Sequence, residues 1–455
     1  MLGLTLLTGL TGVSHAQTWE KLIMPGLTYR MEVDQATPRV VHALRYTPGN
    51  PFVHPRPEVA KLTVYEPDET KGREELSALV KRVNAVGGIN GDFFPFTGDP
   101  LGAMVRSGEL LSPPFPDRAV FGWGKAISAV GRLKWKATLY PEGGEKIEIN
   151  ALNEEWGEDG YVLNTASAGY SMAKLPNAHM VIKLDSTSIP PSGKVTGVFE
   201  SVVTDQESVQ IDATTMILVA RGESRISRLA KLKVGQKVTL DMATLGLDWN
   251  KVDNVVGGGP FLVVGGRKFI DWKEAGFKDN FALKRHPRTA IGKTKQGDIW
   301  MVAVEGRQPM SEGATLDELA DVMLGLGCID AVNLDGGGST TLNLYGLNMN
   351  RPSDGKERPI ANAVLFIGPV PAATEEPFVI RGPARLEAGG KADYSIVAGD
   401  GKAVPINEVL WSSTGAAWVD QGGKLRALTQ GNAVLSAWVR GQLLTITVQV
   451  AGGPK

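Results

Sequence analysis

Hydrophobic and polar residues alternate along most of this chain with a period of two, the pattern of half-buried β-strands. The clearest stretches are KLTVYEP (61–67), KIEINAL (146–152), TTMILVA (214–220), KVTLDMA (237–243), DIWMVAVEG (298–306) and ANAVLFIG (361–368). Helical spacing is much rarer. The pattern predicts an α+β fold with a mixed β-sheet and few helices.

Two segments show apolar residues at helical spacing. Residues 72–88 place four apolar residues on one helical face and are expected to stop at Gly87 and Gly88. Residues 315–327 open with Thr315 and Glu318, the spacing of a capping box, and end in glycine. We predict a helix in each segment.

The pattern changes after Gly368. Residues 369–377, PVPAATEEP, read as a linker, and residues 378–455 contain short strands at the spacing of a β-sandwich. Trp411-Ser-Ser and the strand GNAVLSAWV (431–439) resemble bacterial Ig-like modules. We therefore expect a main domain over residues 17–368, a linker, and a small all-β Ig-like sandwich over residues 378–455.

The first sixteen residues resemble an export signal. An apolar run covers residues 2–13, and Ser14-His15-Ala16 has small residues where a signal peptidase needs them, although no Lys or Arg precedes the run. A hydrophobic first element is the alternative. We expect a signal peptide over residues 1–16 and export to the periplasm, cell envelope or medium. No later segment approaches the roughly 18 to 20 consecutive apolar residues that a membrane span needs.

Composition narrows the function classes. The chain is 42% hydrophobic and 21% charged, with 48 basic against 49 acidic residues, so no basic field indicates a nucleic-acid partner. The single cysteine, Cys328, excludes an internal disulfide and is expected to be a small buried hydrophobe. No zinc motif is present, and no metal or cofactor is predicted, although Asp92, Asp335 and carbonyl oxygens could hold Ca²⁺ or Mg²⁺.

Residues 331–345, AVNLDGGGSTTLNLY, contain the most unusual turn in the chain. A simple reversal needs only Asn-Gly or Asp-Gly, so three glycines after Asp335 exceed what turning requires. We predict a strand, a turn and a strand, with successive backbone N–H groups of the turn forming an anion nest. The turn lacks the Gly-Lys-Ser/Thr sequence and the following helix of a P-loop.

Four motifs occur in order with plausible spacing: NGDFF (90–94), RHPRTAIG (285–292), NLDGGGSTTL (333–342) and RPIANA (358–363). Together they resemble the phosphodiester glycosidase family over most of residues 50–368. Glu305 departs from the pattern, since many relatives are expected to carry Asp there. The resemblance implies hydrolysis of the C1–O bond of a sugar phosphodiester of the N-acetylglucosamine type, releasing free sugar and a phosphomonoester.

This chemistry requires carboxylates at the anomeric carbon and cations or N–H donors at the phosphate. The predicted catalytic residues are Asp335, Asp92 and Glu305. The predicted substrate- and phosphate-binding residues are Arg288, Arg307, Arg358, His286, Gly336, Gly337, Gly338, Ser339, Thr340, Asn90 and Asn333.

Each candidate also has a structural interpretation. The aspartates could form ordinary turns, Arg288 could tie a loop to carbonyl oxygens, Glu305 could cap a turn, and the asparagines could stitch loops together. Two other functions also remain open from sequence: a non-catalytic envelope protein that binds phosphorylated glycans, and a phosphodiesterase that cleaves the P–O bond. A serine hydrolase is disfavoured because G-x-S-x-G is absent.

Overall fold

Antiparallel sheets dominate the part of the chain that the computed structural model describes, which is residues 16–64, 70, 72–95, 97–154 and 159–452. The predicted signal peptide lies outside these residues except for Ala16. The α+β prediction is confirmed, because many strands accompany four short α-helices in the described chain. None of those helices has the length and apolar character needed to cross a bilayer.

Two eight-stranded sheets form the framework. In spatial order, the first contains Gln17–Met24, Leu27–Asp34, Arg39–Tyr46, Ile299–Val304, Arg288–Thr294, Cys328–Asn333, Phe261–Val264 and Arg267–Lys268. The second contains Ile147–Ile149, Lys134–Pro141, Lys237–Leu245, Gly193–Thr204, Asn177–Leu184, Thr215–Arg221, Tyr161–Thr165 and Ala151–Leu152. The central strands of the first sheet are buried on both faces, which explains continuous apolar runs such as that of Ile299–Val304.

Three smaller sheets accompany these frameworks. One contains Leu347–Asn348, Leu342–Leu344, Gly87–Asn90, Asn362–Ile367 and His54–Val59. Another contains Glu109–Ser112, Met104–Arg106, Asn254–Gly257, Ala119–Trp123 and Ser128–Arg132, and a third pairs Tyr170–Met172 with Ser208–Gln210. The first smaller sheet packs on the first eight-stranded sheet around a shared apolar core. Strand ends from both sheets therefore meet at one place.

The α-helices are Leu76–Val83, Glu223–Leu229, Asp279–Leu283 and Leu316–Gly325, and single 3₁₀ turns occupy Ala60–Leu62, Ala166–Ala168, Gly337–Ser339 and Ile406–Glu408. The predicted capping box is confirmed, since Thr315 and Glu318 each bond the other's backbone. Cys328 is buried as expected. The strand predicted over residues 61–67 is wrong for residues 61–64, because residues 61 and 62 belong to the 3₁₀ turn and residues 63 and 64 are not in a strand. Residues 65–67 lie outside the described residues.

The predicted helix stop at Gly87 and Gly88 is also wrong. The helix ends at Val83, followed by Asn84 in the left-handed region, and the two glycines begin the next strand. A Cβ atom at Gly87 would lie 2.3 Å from the carbonyl oxygen of Asn343, and one at Gly88 would lie 2.5 Å from that of Val364. These glycines let three strands approach closely.

The C-terminal residues build their own sheets around a separate core. These sheets pair Phe378–Arg381 with Ser395–Ala398, join Arg385–Glu387, Gln442–Ala451, Gly431–Val439 and Val409–Gly415, and join Lys391–Asp393, Lys424–Ala427 and Ala417–Val419. The Ig-like assignment and the domain boundaries stay predictions. The segment packs on the rest of the chain, where the buried Lys21 ammonium donates to the carbonyl oxygens of Val409 and Gln421.

Candidate active site

Asp92 and Asp335 meet where two strands from different sheets end. Asp92 follows Gly87–Asn90, and Asp335 follows Cys328–Asn333. The Asp335 N–H donates to the Gly91 carbonyl oxygen at 3.0 Å, and Asn90 Nδ2 donates to the Asp335 carbonyl oxygen at 2.7 Å. These two bonds hold the loops that carry the aspartates against each other.

Asn90 and Asn333 position this junction from inside the protein. Asn90 Oδ1 accepts hydrogen bonds from the Thr289 hydroxyl at 2.9 Å and the Thr341 N–H at 3.1 Å. Asn333 Nδ2 donates to the carbonyl oxygens of Gly259 and Leu334. Both side chains are buried. The loop-stitching interpretation therefore replaces the predicted role in binding substrate.

Asp92 is a buried carboxyl group that backbone N–H groups hold at both oxygens. Oδ1 accepts from Phe93 N at 2.8 Å and Oδ2 from Gly102 N at 2.7 Å. The Asp92 pKa is raised to about 7, mainly by burial and also by the charge of Asp335, although the N–H groups and Arg118 oppose the shift. A Cβ atom at Gly257 would lie 2.2 Å from Oδ2, so glycine is required beside this carboxyl.

Asp335 is more accessible than Asp92 and has a lower pKa. Its Oδ1 accepts from Gly336 N at 2.8 Å. Burial raises the Asp335 pKa to about 6, while the Ser339 hydroxyl, the Gly336 N–H and the cations Arg358 and Arg118 lower it. The Ser339 hydroxyl lies against the carboxylate without reaching hydrogen-bond geometry. Asp335 therefore ionises more readily than Asp92.

Arg118 is the functional candidate that the sequence analysis missed. Its guanidinium lies over the rings of Phe93, Phe115 and Phe277, with centroid distances of 5.0, 4.6 and 4.5 Å. Burial lowers the Arg118 pKa, and the charges of Asp92 and Asp335 raise it. Within the described residues, Nε and Nη1 are buried without a hydrogen-bond partner. A cation with unused donors thus lies beside both carboxyl groups.

The turn after Asp335 does not form the predicted anion nest. It closes into a 3₁₀ turn, and four of its N–H groups already bond protein oxygens: Gly336 to Asp335 Oδ1, Gly337 to the Pro287 carbonyl, Ser339 to the Gly336 carbonyl and Thr340 to the Gly337 carbonyl. The prediction that these successive N–H groups bind phosphate directly is therefore wrong.

The glycines instead let arginine side chains reach the turn. A Cβ atom at Gly338 would lie 2.2 Å from Arg358 Nη2, and one at Gly337 would lie 3.3 Å from Arg307 Nη2. Asp354 lies between these cations: Arg358 Nε donates to its Oδ2 at 3.0 Å, and Arg307 Nη1 lies 3.9 Å from its Oδ1. Arg307 and Arg358 are exposed enough to meet a ligand.

His286 positions Arg307. Its Nε2 donates to the Asn280 carbonyl oxygen at 2.9 Å, which leaves Nδ1 to accept from Arg307 Nη2 at 3.3 Å. Burial lowers the His286 pKa, as do the nearby cations Arg288 and Arg307. A neutral ring that accepts from Arg307 fits the support of a phosphate ligand better than direct contact with one.

Arg288 and Thr340 are structural, contrary to the predicted roles. Arg288 is buried, and its Nε donates to the Ala314 carbonyl at 2.8 Å while Nη2 donates to the Phe281 and Lys284 carbonyls. This is the loop-tying interpretation. Thr340 is buried too, and its hydroxyl lies 3.3 Å from that of Thr289.

Glu305 is separate from the aspartates, which corrects its predicted catalytic role. It is buried, and its Oε1 lies 3.1 Å from His42 Nε2 and accepts from Arg351 N at 2.8 Å. His42 Nδ1 in turn bonds the Tyr29 hydroxyl at 2.7 Å. Glu305 thus belongs to an internal polar network, and Asp92 and Asp335 remain as the carboxyl pair.

A metal centre has no candidate ligand cluster in the described ranges, because no three His, Cys, Asp or Glu side chains are grouped to hold an ion. The charges available at the site are those of the two carboxyl groups and the arginines. This set suits an anionic substrate that reacts with a carboxylate.

Sequence comparisons identify relatives of part of the chain. Residues 192–367 match the family model of phosphodiester glycosidases. A prophage-derived uncharacterized protein of Bacillus subtilis is 38% identical over 85 residues, 19% of this chain and 13% of its own length. The bovine N-acetylglucosamine-1-phosphodiester alpha-N-acetylglucosaminidase is 37% identical over 82 residues, 18% of this chain and 15% of its own length. The chain therefore aligns with under one-sixth of the length of each.

Two solved structures share the fold. A hypothetical protein from Synechocystis has a TM-score of 0.63 at 24% identity, covering 78% of this chain and 64% of its own. A putative exported protein from Burkholderia pseudomallei has a TM-score of 0.59 at 21% identity, covering 72% of this chain and 74% of its own. At these sequence identities, the two structures show that the fold is shared and nothing more. The match to the phosphodiester glycosidase family model covers residues 192–367, the part of the chain that includes Asp335 and Arg358.

Proposed function

We propose that the protein is an exported glycosidase that hydrolyses the C1–O bond of a glycosyl phosphodiester, releasing free sugar and a phosphomonoester. The observation that carries this proposal is the coupled pair Asp92 and Asp335, two carboxyl groups with raised pKa values beside Arg118. Paired carboxyl groups of different pKa are the equipment of glycoside hydrolysis, and the adjacent cations fit a phosphate leaving group.

The two aspartates take different roles in this proposal. Asp335 has the lower pKa and the more accessible side chain, so it supplies the carboxylate that attacks C1 or deprotonates the attacking water. Asp92 has the higher pKa and is buried, so it holds the proton at neutral pH. Backbone N–H groups fix the orientation of the Asp92 carboxyl group.

Arginines take over much of the work of a general acid. A phosphomonoester leaves as a stable anion and needs less protonation than an alkoxide does. Arg118 and Arg358 both act electrostatically on Asp335, so a phosphate bound between them would lie next to the reacting carboxylate. Arg307, which His286 positions, extends this positive edge.

Support for the substrate comes from the family and from the names of relatives. The bovine and human relatives are named as N-acetylglucosamine-1-phosphodiester alpha-N-acetylglucosaminidases, which favours a sugar of the N-acetylglucosamine type. The signal-like residues 1–16 support export.

Hydrolysis of an α-N-acetylglucosamine 1-phosphodiester in ¹⁸O-labelled water tests the bond that breaks. Cleavage at C1–O leaves the phosphomonoester unlabelled, because water attacks carbon. Mass spectrometry of the phosphomonoester gives the answer, since its oxygens do not exchange with water as the anomeric hydroxyl does. Label in the phosphate would contradict the proposal and favour a phosphodiesterase. Saturable binding without any product would favour the non-catalytic glycan binder.

A further inference from the structure

Two long loops carry the exposed arginines of the candidate active site. Residues 305–315 carry Arg307, and residues 349–361 carry Arg358 together with the Asp354 carboxylate that it bonds. Neither loop contains a helix or a strand of its own. Loops of this length need contacts from other parts of the protein to hold one shape. The contacts that hold these two loops therefore determine where the arginine side chains lie.

The C-terminal segment, residues 378–452, contacts the 349–361 loop through Arg351. Arg351 Nη2 donates to the carbonyl oxygen of Gly415 at 2.7 Å. The Arg351 side chain is half-buried, and burial lowers its pKa while the charge of Glu305 raises it. One guanidinium thus links the loop, the C-terminal segment and the interior of the main domain.

Asn348, the residue before this loop, makes a second connection. Its carbonyl oxygen accepts from the Ser412 hydroxyl of the C-terminal segment. Its Nδ2 donates to Glu357 Oε2 at 2.7 Å, and Glu357 directly precedes Arg358. Glu357 is buried and also accepts from the Ser77 hydroxyl at 2.6 Å. Hydrogen bonds therefore lead from the C-terminal segment to the residue beside Arg358 in two steps.

Two further side chains of the C-terminal segment reach the same loops. The Trp438 ring stacks on Tyr345 with a centroid distance of 4.1 Å and an interplanar angle of 12°, and Tyr345 lies in the turn that leads to the longer loop. Arg426 Nη1 donates to Met310 Sδ at 3.4 Å. Met310 follows Arg307 by three residues in the shorter loop. Both arginine-bearing loops are thus in contact with the C-terminal segment.

We infer that the C-terminal segment is a positioning element of the active site, which holds the loops of Arg307 and Arg358 in the shape that binds the phosphate group. A module that only tethered the main domain would have no need of contacts with these two loops. The inference rests on the proposed function, since it takes both arginines as phosphate-binding groups. It adds that Ser412 and Trp438, which bind no substrate themselves, affect the affinity for phosphate.

Binding of inorganic phosphate tests the inference without depending on turnover. The test variant combines Ser412→Ala with Trp438→Leu, which removes the hydrogen bond to Asn348 and the stack on Tyr345 and changes no residue of either loop. We expect the Kd for phosphate to rise about fivefold, measured by ³¹P NMR titration of the whole chain at neutral pH. Circular dichroism on the same sample shows that the variant is folded.

Ser436→Ala combined with Leu443→Ala is the matched control. Ser436 lies opposite Ser412, and Leu443 lies opposite Trp438, on neighbouring strands of one sheet. The Ser436 hydroxyl bonds Thr445 inside the segment, and Leu443 is 55% exposed. The control should keep the Kd within about twofold of the wild-type value.

A conservative variant separates positioning from a general loss of stability. Ser412→Thr combined with Trp438→Phe keeps a hydroxyl group and an aromatic ring, and should restore the wild-type Kd. Ser412→Ala alone serves if the double variant does not fold, and should raise the Kd about threefold. A folded Ser412→Ala, Trp438→Leu variant with wild-type affinity overturns the inference.

Arg358→Met distinguishes failure of the inference from failure of the proposed function. It removes a proposed phosphate-binding group directly and should raise the Kd about tenfold. If Arg358→Met loses affinity and the C-terminal variants do not, the inference fails and the proposed function stands. If Arg358→Met binds phosphate as the wild-type chain does, both fail. If no diester is hydrolysed but the C-terminal variants weaken phosphate binding, the proposed reaction fails and the positioning role stands.

Discussion

Two buried carboxyl sites in this chain differ in what surrounds them. Glu305 has internal partners, since His42 and the Arg351 N–H bond one of its oxygens and Tyr29 completes the network. Asp335 is held at one oxygen by its own turn and has Arg118 and Arg358 near it. Burial therefore does not identify a reactive carboxylate. Asp335 is distinguished by a second carboxyl group, Asp92, and by Arg118, whose Nε and Nη1 have no hydrogen-bond partner within the described residues.

Asp335→Asn should show the largest loss of activity and so give the clearest difference between the Asp335 and Glu305 sites. The variant should lose at least about 10²-fold in kcat, because it removes the carboxylate that attacks or accepts a proton. The measurement is the initial rate of diester hydrolysis by purified, folded protein. Near-normal turnover would remove Asp335 from the mechanism.

The same variant should be more stable than the wild-type chain above neutral pH. The folded-state pKa of Asp335 is raised to about 6, so the wild-type chain loses stability as pH rises from the unfolded value to about 6. Asparagine does not ionise, so the variant does not lose this stability as pH rises. The expected gain in unfolding free energy is roughly 1–2 kcal/mol at pH 8 and near zero at pH 4. Denaturant titrations at both pH values measure it.

Arg118→Met should lower kcat/KM by about 10²-fold, because the substitution keeps apolar contact with the rings but removes the cation beside the leaving phosphate. Arg285→Met is the control, since Arg285 pairs with Glu312 and Glu318 on the surface. The control should keep its activity. If Arg118→Met stays within fivefold of the wild-type chain, phosphate binding by Arg118 is excluded.

The pH profile should be narrow, since Asp335 must be ionised and Asp92 protonated in the working pair. Lowering pH through about 6 protonates Asp335, and raising it through about 7 ionises Asp92. One pH unit beyond each value should cost about tenfold in kcat/KM, near pH 5 and pH 8. These values belong to the coupled pair. A flat profile between pH 5 and pH 8 would contradict the assigned protonation states.

Glu305→Gln should have the smallest effect on catalysis. We expect activity within about threefold of the wild-type chain and a loss of about 1–3 kcal/mol in unfolding free energy, because a buried hydrogen-bonded charge is removed from its network. Thermal denaturation and diester hydrolysis are measured on the same preparation. A hundredfold loss of kcat without a change in stability would return Glu305 to the active site.

The sequence predicts local structure better than it predicts contacts between segments that are distant along the chain. The capping box at Thr315 depends on nearby residues and is confirmed, and most of the stretches predicted as strands form strands, although residues 61–64 do not. Gly87 and Gly88 resemble a helix stop in sequence, whereas in the structure they allow the close approach of two strands that are far away along the chain. In sequence, a glycine pair that ends a helix looks the same as one that lets strands approach closely.

The candidate site shows the same limit. Asp92 and Asp335 could be selected because their motifs occur together in order. Arg118 could not, since Phe93 and Phe277, which complete its aromatic surroundings together with the nearby Phe115, are distant along the chain. The segment PPFPDRAVF (113–121) contains no motif that indicates a ligand. Arg288 and Glu305 were selected for their residue type, and only their hydrogen-bond partners distinguish an internal tie from a free donor.

The packing of the C-terminal segment has a practical consequence for dividing this protein. Leu410 and Trp418 belong to the same apolar core as Tyr29 and Met31 from the first sheet. A chain cut at the predicted linker would expose that core and leave the Lys21 ammonium without its two carbonyl acceptors. Although residues 369–377 read as a boundary in sequence, a truncated protein that ends there would lack part of its own interior.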